Sequence, residues 1–330
     1  MLKQFSIKNF KCYGKKAATF DLSKITFVYG NNSVGKSSFL DALSIIDKAR
    51  RNNHGVVIRS DGFKNGVIAA GDEWNLKCSD TNGIDVSWTL SLNGVNDWIL
   101  KDDTNGDLVA GQVFNQSFPQ VTHVKAGDTR KNSTTGLEAL AAKMEEPESG
   151  LMTLEQVADV NQMFEDLDVH YRCAVDGTLT DLDFGMPNLD EEKVGTGIRG
   201  IYRYLVKIAK WKSGLLLLEE PEANVNESQL QKLTQVLVRS ALKRSANSSN
   251  AQIVVECHSE LMFLALRNML AHGELKPTDV AINVITKFAE GSESRTIPLD
   301  EFGNILQPWP GGFFPARTKI NDAYYDEERE

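Results

Sequence analysis

The hydrophobic positions near the start of the chain recur with the periods of strands and then of a helix. The pattern predicts strands at Leu2–Phe10, Ala17–Leu22 and Ile25–Tyr29, followed by a helix at Ser37–Arg50. The first two strands alternate polar and apolar residues, as edge strands do. Ile25–Tyr29 is almost continuously apolar, which is typical of a strand that is buried on both faces.

A second run of alternating elements begins near residue 197. Short, continuously apolar stretches alternate there with longer stretches of helical period. In chain order the pattern predicts a helix at Gly197–Trp211, a strand at Leu215–Leu218, a helix at Glu227–Lys243, a strand at Ile253–Glu256, a helix at Glu260–Ala271, and strands at Val280–Thr286 and Ser294–Ile297. Strands that alternate with helices at both ends of a chain predict an α/β core with a parallel sheet.

The middle of the chain has a different pattern, in which short alternating strands are separated by turn signals. Asn-Gly dipeptides at 82–83, 93–94 and 105–106 favour hairpin turns and predict an antiparallel meander. Its strands are expected at Asn75–Cys78, Asp85–Leu92, Trp98–Lys101 and Leu108–Phe114. Beyond it we predict helices at Thr135–Met144 and Leu151–Leu167 and a β-like or irregular stretch at His170–Met186.

These changes of pattern divide the chain into five parts. The α/β core is expected to be made of two separate segments, 1–64 and 193–314. Between them lie an antiparallel β subdomain at 65–134 and a helical or irregular insertion at 135–192. The remaining segment, 315–330, is an acidic tail, and its end at Asp326–Glu330 is expected to be disordered.

Composition narrows the class of protein. A chain of 330 residues with 41% hydrophobic residues can bury a substantial core. The net charge of −9 argues against a protein that coats nucleic acid through bulk charge, although local basic patches stay open. No apolar signal segment or membrane-length apolar run is present. Four scattered cysteines favour a reduced, cytoplasmic chain without a disulfide or zinc framework: Cys12, Cys78, Cys173 and Cys257.

The strongest chemical signal is a glycine-rich turn between the third strand and the first helix. Its sequence fits the pattern G-x-x-x-x-G-K-S in the strand-to-helix context that a phosphate-binding P-loop requires, whereas a chance turn would lack that context. Lys36 is expected to reach the β- and γ-phosphates of ATP, and the Ser37 hydroxyl to hold Mg²⁺. The nucleotide-binding residues predicted here are Gly30, Asn31, Asn32, Ser33, Val34, Gly35, Lys36, Ser37 and Ser38.

A second signal is the aliphatic strand Leu215–Leu218, which ends in two glutamates. At the carboxyl edge of a central strand, Glu219 is expected to support Mg²⁺ and Glu220 to orient or deprotonate the attacking water. The alternative is a buried strand capped by solvated glutamates.

His258 follows another apolar strand, Ile253–Val255. It is a candidate for contact with the γ-phosphate or the attacking water. The alternative from chemistry alone is a hydrogen-bonded histidine beside a helix whose N-cap is Ser259.

Two weaker features lie at the start of the helix predicted from Gly197. Backbone N–H groups around Gly195, Thr196 and Gly197 could contact a phosphate, although two glycines before a helix also read as a plain turn. A basic stripe then follows at spacings of four, four and three residues, which suits either DNA or a solvated face: Arg199, Arg203, Lys207 and Lys210.

Taken together, these segments resemble the ABC-type AAA ATPases related to the overcoming-lysogenization-defect nucleases, RecF and the chromosome-maintenance heads. The segment 218–222, Leu-Glu-Glu-Pro-Glu, looks like the family's Walker B, and 256–260, Glu-Cys-His-Ser-Glu, is similar to its switch box. The segment 194–198, Val-Gly-Thr-Gly-Ile, resembles its signature loop, and Val121–Arg130 a strand leading to an arginine. The resemblance implies an α/β fold of the ABC-ATPase head type, a mixed sheet and catalytic roles for Lys36, Glu220 and His258.

The C-terminal segments 300–305 and 309–314 resemble the terminal box of a stand-alone subfamily that lacks the TOPRIM nuclease domain. Two departures stand out: Asn224-Val225-Asn226-Glu227 replaces the family's usual His-Leu-His-Pro run, and Gly195 replaces a serine of the ABC signature. The first suggests a different dimer-contacting loop.

The resemblance implies a homodimer or higher oligomer whose ATP sites form between two copies. It also implies control of a separate effector, a nuclease or toxin, in bacterial anti-phage defence. No membrane partner is expected. The rival is a RecF-like protein that uses ATP to clamp DNA, which the basic stripe favours and the net charge opposes. A third alternative, a scaffold that binds ATP without turnover, is opposed by the intact Glu220.

Overall fold

Two large sheets with a helix between them form the framework of the protein. A computed structural model describes residues 1–51, 57–59, 74–80, 85–93, 97–102, 120–124, 151–190, 193–223 and 225–310. Within these residues the chain forms two six-stranded sheets and one three-stranded sheet.

Fifteen strands and five α-helices lie in the described residues. The strands are β1 (Leu2–Lys8), β2 (Ala18–Asp21), β3 (Ile25–Gly30), β4 (Val57–Arg59), β5 (Trp74–Asp80), β6 (Asp85–Asn93), β7 (Asp97–Asp102), β8 (Val121–Val124), β9 (Tyr171–Cys173), β10 (Leu179–Asp181), β11 (Met186–Leu189), β12 (Leu215–Glu219), β13 (Gln252–Glu256), β14 (Val280–Phe288) and β15 (Gly291–Thr296). The helices are α1 (Lys36–Arg51), α2 (Leu154–Asp166), α3 (Thr196–Lys210), α4 (Glu227–Asn247) and α5 (Glu260–Ala271), with a short 3₁₀ turn at Pro277–Asp279.

The central sheet has the order β15-β14-β3-β13-β12-β8. Its strands are parallel except for β15, which pairs antiparallel with β14 at one edge. This mixed sheet confirms the predicted α/β fold. Its order places β13 between β3, which precedes the P-loop, and β12, which carries the two glutamates, so three chemically important strand ends meet at one edge.

The second sheet is antiparallel and has the order β2-β1-β5-β6-β7-β4. Strands β5, β6 and β7 form the predicted meander. The prediction that β1 is an edge strand is wrong, because β1 pairs with both β2 and β5. The antiparallel sheet therefore includes strands from the first segment of the chain as well as from the predicted β subdomain. Strand β4 has no counterpart in the sequence pattern.

Helix α1 lies between the two sheets. Phe39 stacks on Phe20 of β2 with ring centroids 4.1 Å apart and meets Phe5 of β1 edge to face at 5.9 Å. All three rings are fully buried, and burial of each contributes on the order of 1.5–3 kcal/mol. This packing fixes the helix that begins with the P-loop lysine.

The two faces of the central sheet belong to different cores. Leu215 and Leu217 face the core around α1, whereas Leu216 and Leu218 face the core formed with α3, α4 and α5. Because both faces of β12 are covered, its sequence is aliphatic at successive positions and does not alternate between apolar and polar residues.

A buried glutamine ties the N-terminal strand to the central sheet. The Gln252 amide accepts a hydrogen bond from Leu2 N at 2.7 Å and donates to Leu2 O and Ser23 O at 2.9 Å each. Asn283 of β14 makes a similar pair of bonds with the backbone of Asp21 in β2. These side chains join the sheets where no strand pairing does.

Several element boundaries differ from the sequence pattern. The helix predicted at Leu151–Leu167 begins at Leu154, because Thr153 forms a capping box with Gln156. The strand predicted at Ser294–Ile297 begins earlier, at Gly291, because β14 and β15 form a tight hairpin with Phe288 opposite Gly291. The expected β-like stretch at His170–Met186 contains β9, β10 and the first residue of β11.

Other sequence predictions lie outside the described residues. These are the strand at 108–114, the helix at 135–144, Arg130 and the acidic tail 315–330. Among the helices that the structure describes, none combines the length and apolar character needed to cross a membrane.

Candidate active site

The P-loop connects the end of β3 to the start of α1 through backbone conformations that favour glycine. Gly30 has φ of 154° and Gly35 has φ of 113°. A Cβ on Gly30 would lie 2.7 Å from Ile285 O, and one on Gly35 would lie 2.3 Å from Cys12 Sγ. Both glycines are therefore required by close packing as well as by backbone conformation.

Neighbouring loop residues differ in their exposure. Asn31, Asn32 and Ser33 are exposed at the tip of the loop, and Ser33 adopts a left-handed φ of 62°. Val34 is buried, and Ser38 is half-buried in the first turn of α1. An exposed loop with a buried anchor leaves its backbone N–H groups accessible to a ligand.

Lys36 lies inside the loop. Its ammonium donates hydrogen bonds to Gly30 O at 3.0 Å and Asn31 O at 2.9 Å, and the residue is 3% exposed. Burial lowers the pKa of Lys36, while nearby carboxylates, first that of Glu256, oppose the shift. A buried ammonium within a curved loop is suited to an anionic ligand, since the backbone carbonyls offer only partial compensation for the charge.

Glu219 and Glu220 lie at the carboxyl end of β12, as predicted. Glu219 is paired in register with Glu256 of β13. Glu220 adopts a left-handed φ of 48° and its backbone N donates to Glu256 O at 3.0 Å. A non-glycine residue in this conformation is uncommon, and here the turn directs the Glu220 side chain toward His258 instead of along the strand.

His258 faces Glu220 across the sheet edge. His258 Nε2 lies 3.0 Å from Glu220 Oε1, and His258 N donates to Glu222 Oε1 at 2.6 Å. Burial and the charge of Lys36 lower the pKa of His258, against the opposing effect of Glu220. Ser259 caps α5 by accepting a hydrogen bond from Met262 N, which confirms the predicted N-cap. The cap and the Glu220 contact involve different residues and coexist.

Glu256 also lies at this site, although the sequence analysis did not name it as a candidate. Its Oε1 accepts a hydrogen bond from Ser37 Oγ at 2.9 Å, and the residue is 2% exposed. Burial raises its pKa to about 7, opposed by the Ser37 hydrogen bond. The signal in the sequence is a charged residue at the end of an otherwise apolar strand, because a buried charge is costly unless it is paired, hydrogen-bonded or bound to a metal.

His123 of β8 is a second residue that the sequence analysis missed. Its Nε2 lies 3.8 Å from Glu219 Oε2, and its Nδ1 is 3.1 Å from Ser44 Oγ of α1. Tyr204 of α3 also reaches this strand end, donating its hydroxyl hydrogen to Glu219 O. Because β8 joins the sheet from a distant segment, the spacing of residues along the chain could not reveal this contact.

The signature residues are at a different place on the molecule. Gly195 precedes α3, Thr196 and Gly197 begin it, and Gly195 and Thr196 are exposed. A Cβ on Gly195 would meet nothing within 4 Å. Among the described residues, no hydrogen bond or ion pair joins these three to the P-loop. The structure therefore does not bring the two motifs together within one copy.

Side chains at the site are suited to a divalent cation. Glu220, Glu256 and His258 each offer one ligand atom, and these atoms lie within 4.8 Å of one another. Glu256 Oε2 is buried and has no hydrogen-bond partner among the described residues. Carboxylate and hydroxyl oxygens are the ligands that Mg²⁺ prefers, so the residues fit a magnesium–nucleotide complex.

Comparisons with known proteins agree with this geometry. Residues 1–93 match the model of the AAA ATPase domain, which covers the P-loop and the first strands. Residues 275–316 match the model described as a protein of unknown function (DUF3696). No curated protein matches the chain.

Three solved structures that resemble this chain in fold are SMC head domains. The SMC head domain from Thermotoga maritima is 13% identical with a TM-score of 0.52, and the alignment covers 91% of this chain and 99% of that one. An SMC head bound to the C-terminal winged-helix domain of ScpA is 14% identical with a TM-score of 0.59, over 91% and 98% of the two chains. An SMC head derived from Pyrococcus furiosus, bound to the C-terminal domain of ScpA, is 11% identical with a TM-score of 0.56, over 100% and 99%.

The fold is that of an α/β P-loop ATPase. The matches support an ATP-binding domain of the ABC/SMC type.

The segment that matches the second family model packs behind the P-loop strand. Trp309 lies 4.8 Å from Phe263 of α5 and 6.2 Å from Tyr29 of β3, measured between ring centroids. Arg267 Nε donates to Gly303 O at 2.7 Å, in a turn where Gly303 has φ of 77°. The C-terminal segment thus holds α5, whose N-terminus follows His258, against the central sheet.

Proposed function

We propose that the protein binds Mg·ATP and hydrolyses ATP at the site formed by the P-loop and the ends of β12 and β13. The observation that carries the proposal is the meeting of Lys36 in its loop with the Glu220–His258 pair at one sheet edge. A phosphate cradle, a carboxylate and a histidine are the groups that hydrolysis of a phosphoanhydride needs within reach of one another.

Each residue has a distinct role in this proposal. Lys36 binds the β- and γ-phosphates as a point charge, and Glu220 orients the attacking water or accepts its proton. His258, held by Glu220, contacts the γ-phosphate or the water. Ser37 and Glu219 hold Mg²⁺, which when bound neutralises charge on the phosphates.

The exposed signature supports a site completed by a second copy. Gly195 and Thr196 lie on the surface, and within the described part of the chain they make no hydrogen bond to their own P-loop, so their backbone N–H groups are available to the nucleotide of another protomer. ATP would then join two copies, and hydrolysis would release them. Control of a separate nuclease or toxin in phage defence rests on the family resemblance alone.

The first experiment tests nucleotide binding. Lys36→Ala removes the main positive charge of the loop and should abolish binding of a fluorescent ATP analogue in the presence of Mg²⁺. The matched control is Lys212→Ala, since Lys212 is exposed beyond the end of α3. Equal affinity for the wild type and Lys36→Ala would remove the P-loop assignment.

An alternative function is ATP-dependent DNA binding. The SMC-head fold and the basic residues of α3 favour it, while the net charge of −9 opposes it. The four basic side chains are half-buried, which limits the surface they offer: Arg199, Arg203, Lys207 and Lys210. Fluorescence anisotropy with duplex DNA at rising salt, with and without ATP, separates the two functions, because phosphate contacts weaken steeply with salt.

A further inference from the structure

The strand order brings a third carboxylate to the P-loop. Strand β13 lies directly beside β3, with Glu256 opposite Val28, and on its other side Glu256 is opposite Glu219. Parallel strands present their carboxyl ends at the same edge, where α/β sheets bind ligands. Glu256 is therefore located between the strand that begins the P-loop and the strand that ends in Glu219.

The contact between Ser37 and Glu256 is direct. Ser37 Oγ donates to Glu256 Oε1 at 2.9 Å, and Ser37 is itself exposed at the start of α1. The second carboxylate oxygen of Glu256, Oε2, is buried without a hydrogen-bond partner in the described part of the chain. A buried oxygen of this kind is costly, which indicates that a cationic ligand completes its environment.

Glu219 has a different environment. Its carboxylate lies 3.8 Å from His123 Nε2, on the side of the sheet edge that faces β8, and its carbonyl accepts from Tyr204. The Ser37 hydroxyl, which P-loop chemistry assigns to Mg²⁺, thus donates to Glu256, and among the described residues no hydrogen bond from it to Glu219 is present. The sequence pattern predicts Glu219 as the carboxylate that supports the metal, because Glu219 ends the aliphatic strand.

We propose that Glu256 is part of the Mg²⁺ site and acts through Ser37, an inference that rests on the proposed function. Glu256 orients the Ser37 hydroxyl and adds a negative charge beside the ion. The same charge repels the phosphates of ATP when no metal is present. Glu256 therefore makes tight nucleotide binding depend on Mg²⁺ and is a positioning residue, since it acts through another group.

The test compares ATP binding with and without metal. Glu256→Gln keeps the shape and an oxygen that can accept from Ser37, but it removes the charge. Affinity for a fluorescent non-hydrolysable ATP analogue is measured in EDTA at pH 8, above the pKa of Glu256, and should stay equal or become tighter. The Mg²⁺ concentration needed for full binding should rise by about 10–100-fold, as for other groups that support a metal ligand. Glu293→Gln, at an exposed pair with Lys16, is the matched control and should behave as the wild type.

The outcomes separate this inference from the proposed function. If the wild type binds no Mg·ATP, the proposed function fails. If the wild type binds and Glu256→Gln keeps the same Mg²⁺ requirement, only the role of Glu256 fails. A parallel loss of affinity with and without metal would show a merely structural role and also overturn the inference.

A second variant covers the case in which Glu256→Gln does not fold. Glu256→Asp keeps the charge and shortens the side chain by one methylene, which breaks the 2.9 Å contact with Ser37. It should raise the Mg²⁺ requirement by about tenfold, near the lower end of the range for such groups. An unchanged requirement in Glu256→Asp would overturn the proposal.

Discussion

His258 Nε2 lies 3.0 Å from Glu220 Oε1, although the two residues follow different strands and are separated by a helix. Two features of the backbone hold this pair. Glu220 has a left-handed φ of 48°, and His258 N is anchored on Glu222 at 2.6 Å. The backbone of the two loops therefore fixes the position of the pair. Either side chain can be substituted without removing these backbone features.

Glu220→Gln should keep ATP binding but slow hydrolysis by about 10²–10⁴-fold, the usual contribution of a positioned base. The isosteric amide keeps the shape and loses the proton-accepting charge. Single-turnover hydrolysis of radiolabelled ATP measures the step directly. Near-wild-type turnover would show that another residue has the catalytic role, and Glu219 and His258 would then be the candidates.

His258→Ala should reduce turnover while leaving the melting temperature and ATP affinity close to those of the wild type, because the bond from His258 N to Glu222 does not involve the side chain. If His258 and Glu220 act as a unit, the double variant with Glu220→Gln should be about as slow as the slower single variant. A sharp fall in melting temperature with unchanged activity per folded molecule would make His258 structural.

The stability of the metal-free protein should depend on pH through Glu256. Burial raises the pKa of Glu256 from 4.5 to about 7, so between these values the folded protein holds a proton that the unfolded chain has released. The stability that this bound proton contributes is complete below pH 4.5 and is lost as the pH rises from there through 7, with an expected size of about 3 kcal/mol.

Urea unfolding in EDTA at pH values from 5 to 8, without nucleotide, measures this effect. Glu256→Gln should show a weaker fall in stability toward high pH than the wild type. The pKa of Glu222 is also raised by burial, and its effect is common to both proteins, so the difference between them isolates Glu256. Identical pH dependence in the two proteins would contradict the prediction.

Gln252→Leu should destabilise the fold, because three backbone groups of Leu2 and Ser23 lose their partner inside the protein. Each buried group left without a hydrogen bond costs about 1–3 kcal/mol, and partial relaxation makes a total of about 2–4 kcal/mol the expected loss. Chemical denaturation measures it. The same change at the exposed Gln231 of α4 is the control, and equal midpoints for the two variants would be inconsistent with a structural role of the Gln252 amide.

Gly197→Glu should block closure of two copies around ATP by size and by repulsion of the γ-phosphate. The helix itself should tolerate the change, because the helix dipole stabilises an acidic side chain in the first turn. Light scattering on the Glu220→Gln protein, with and without ATP, reports assembly. Adding Gly197→Glu to that protein should abolish the ATP-dependent increase and leave nucleotide binding intact.

The control for this prediction is Lys212→Glu, which introduces the same side chain beyond the other end of α3. Mixing Gly197→Glu with Lys36→Ala should restore part of the activity, because one composite site then has an intact P-loop and an intact signature. Full activity of Gly197→Glu alone, together with a rate proportional to enzyme concentration at high dilution, would exclude a composite site.

The sequence by itself determined the elements whose signals are local. The P-loop could be predicted because Gly30, Gly35 and Lys36 follow a buried strand at fixed spacing. The close packing of the loop requires those two glycines. The strand at Leu215–Leu218 could be predicted because a strand that is covered on both faces is apolar at every position. Turn dipeptides likewise predicted the meander of β5, β6 and β7.

Only the tertiary structure decided which of these elements meet. The insertion of β13 between β3 and β12 depends on crossovers through long helices, and no local pattern records it. That order places Glu256 on Ser37, and the addition of β8 places His123 beside Glu219. Pairing of β1 with β5 across more than sixty residues likewise makes an apparent edge strand internal. Contacts between distant segments follow from packing of the whole chain, whereas spacing along it reports only neighbours.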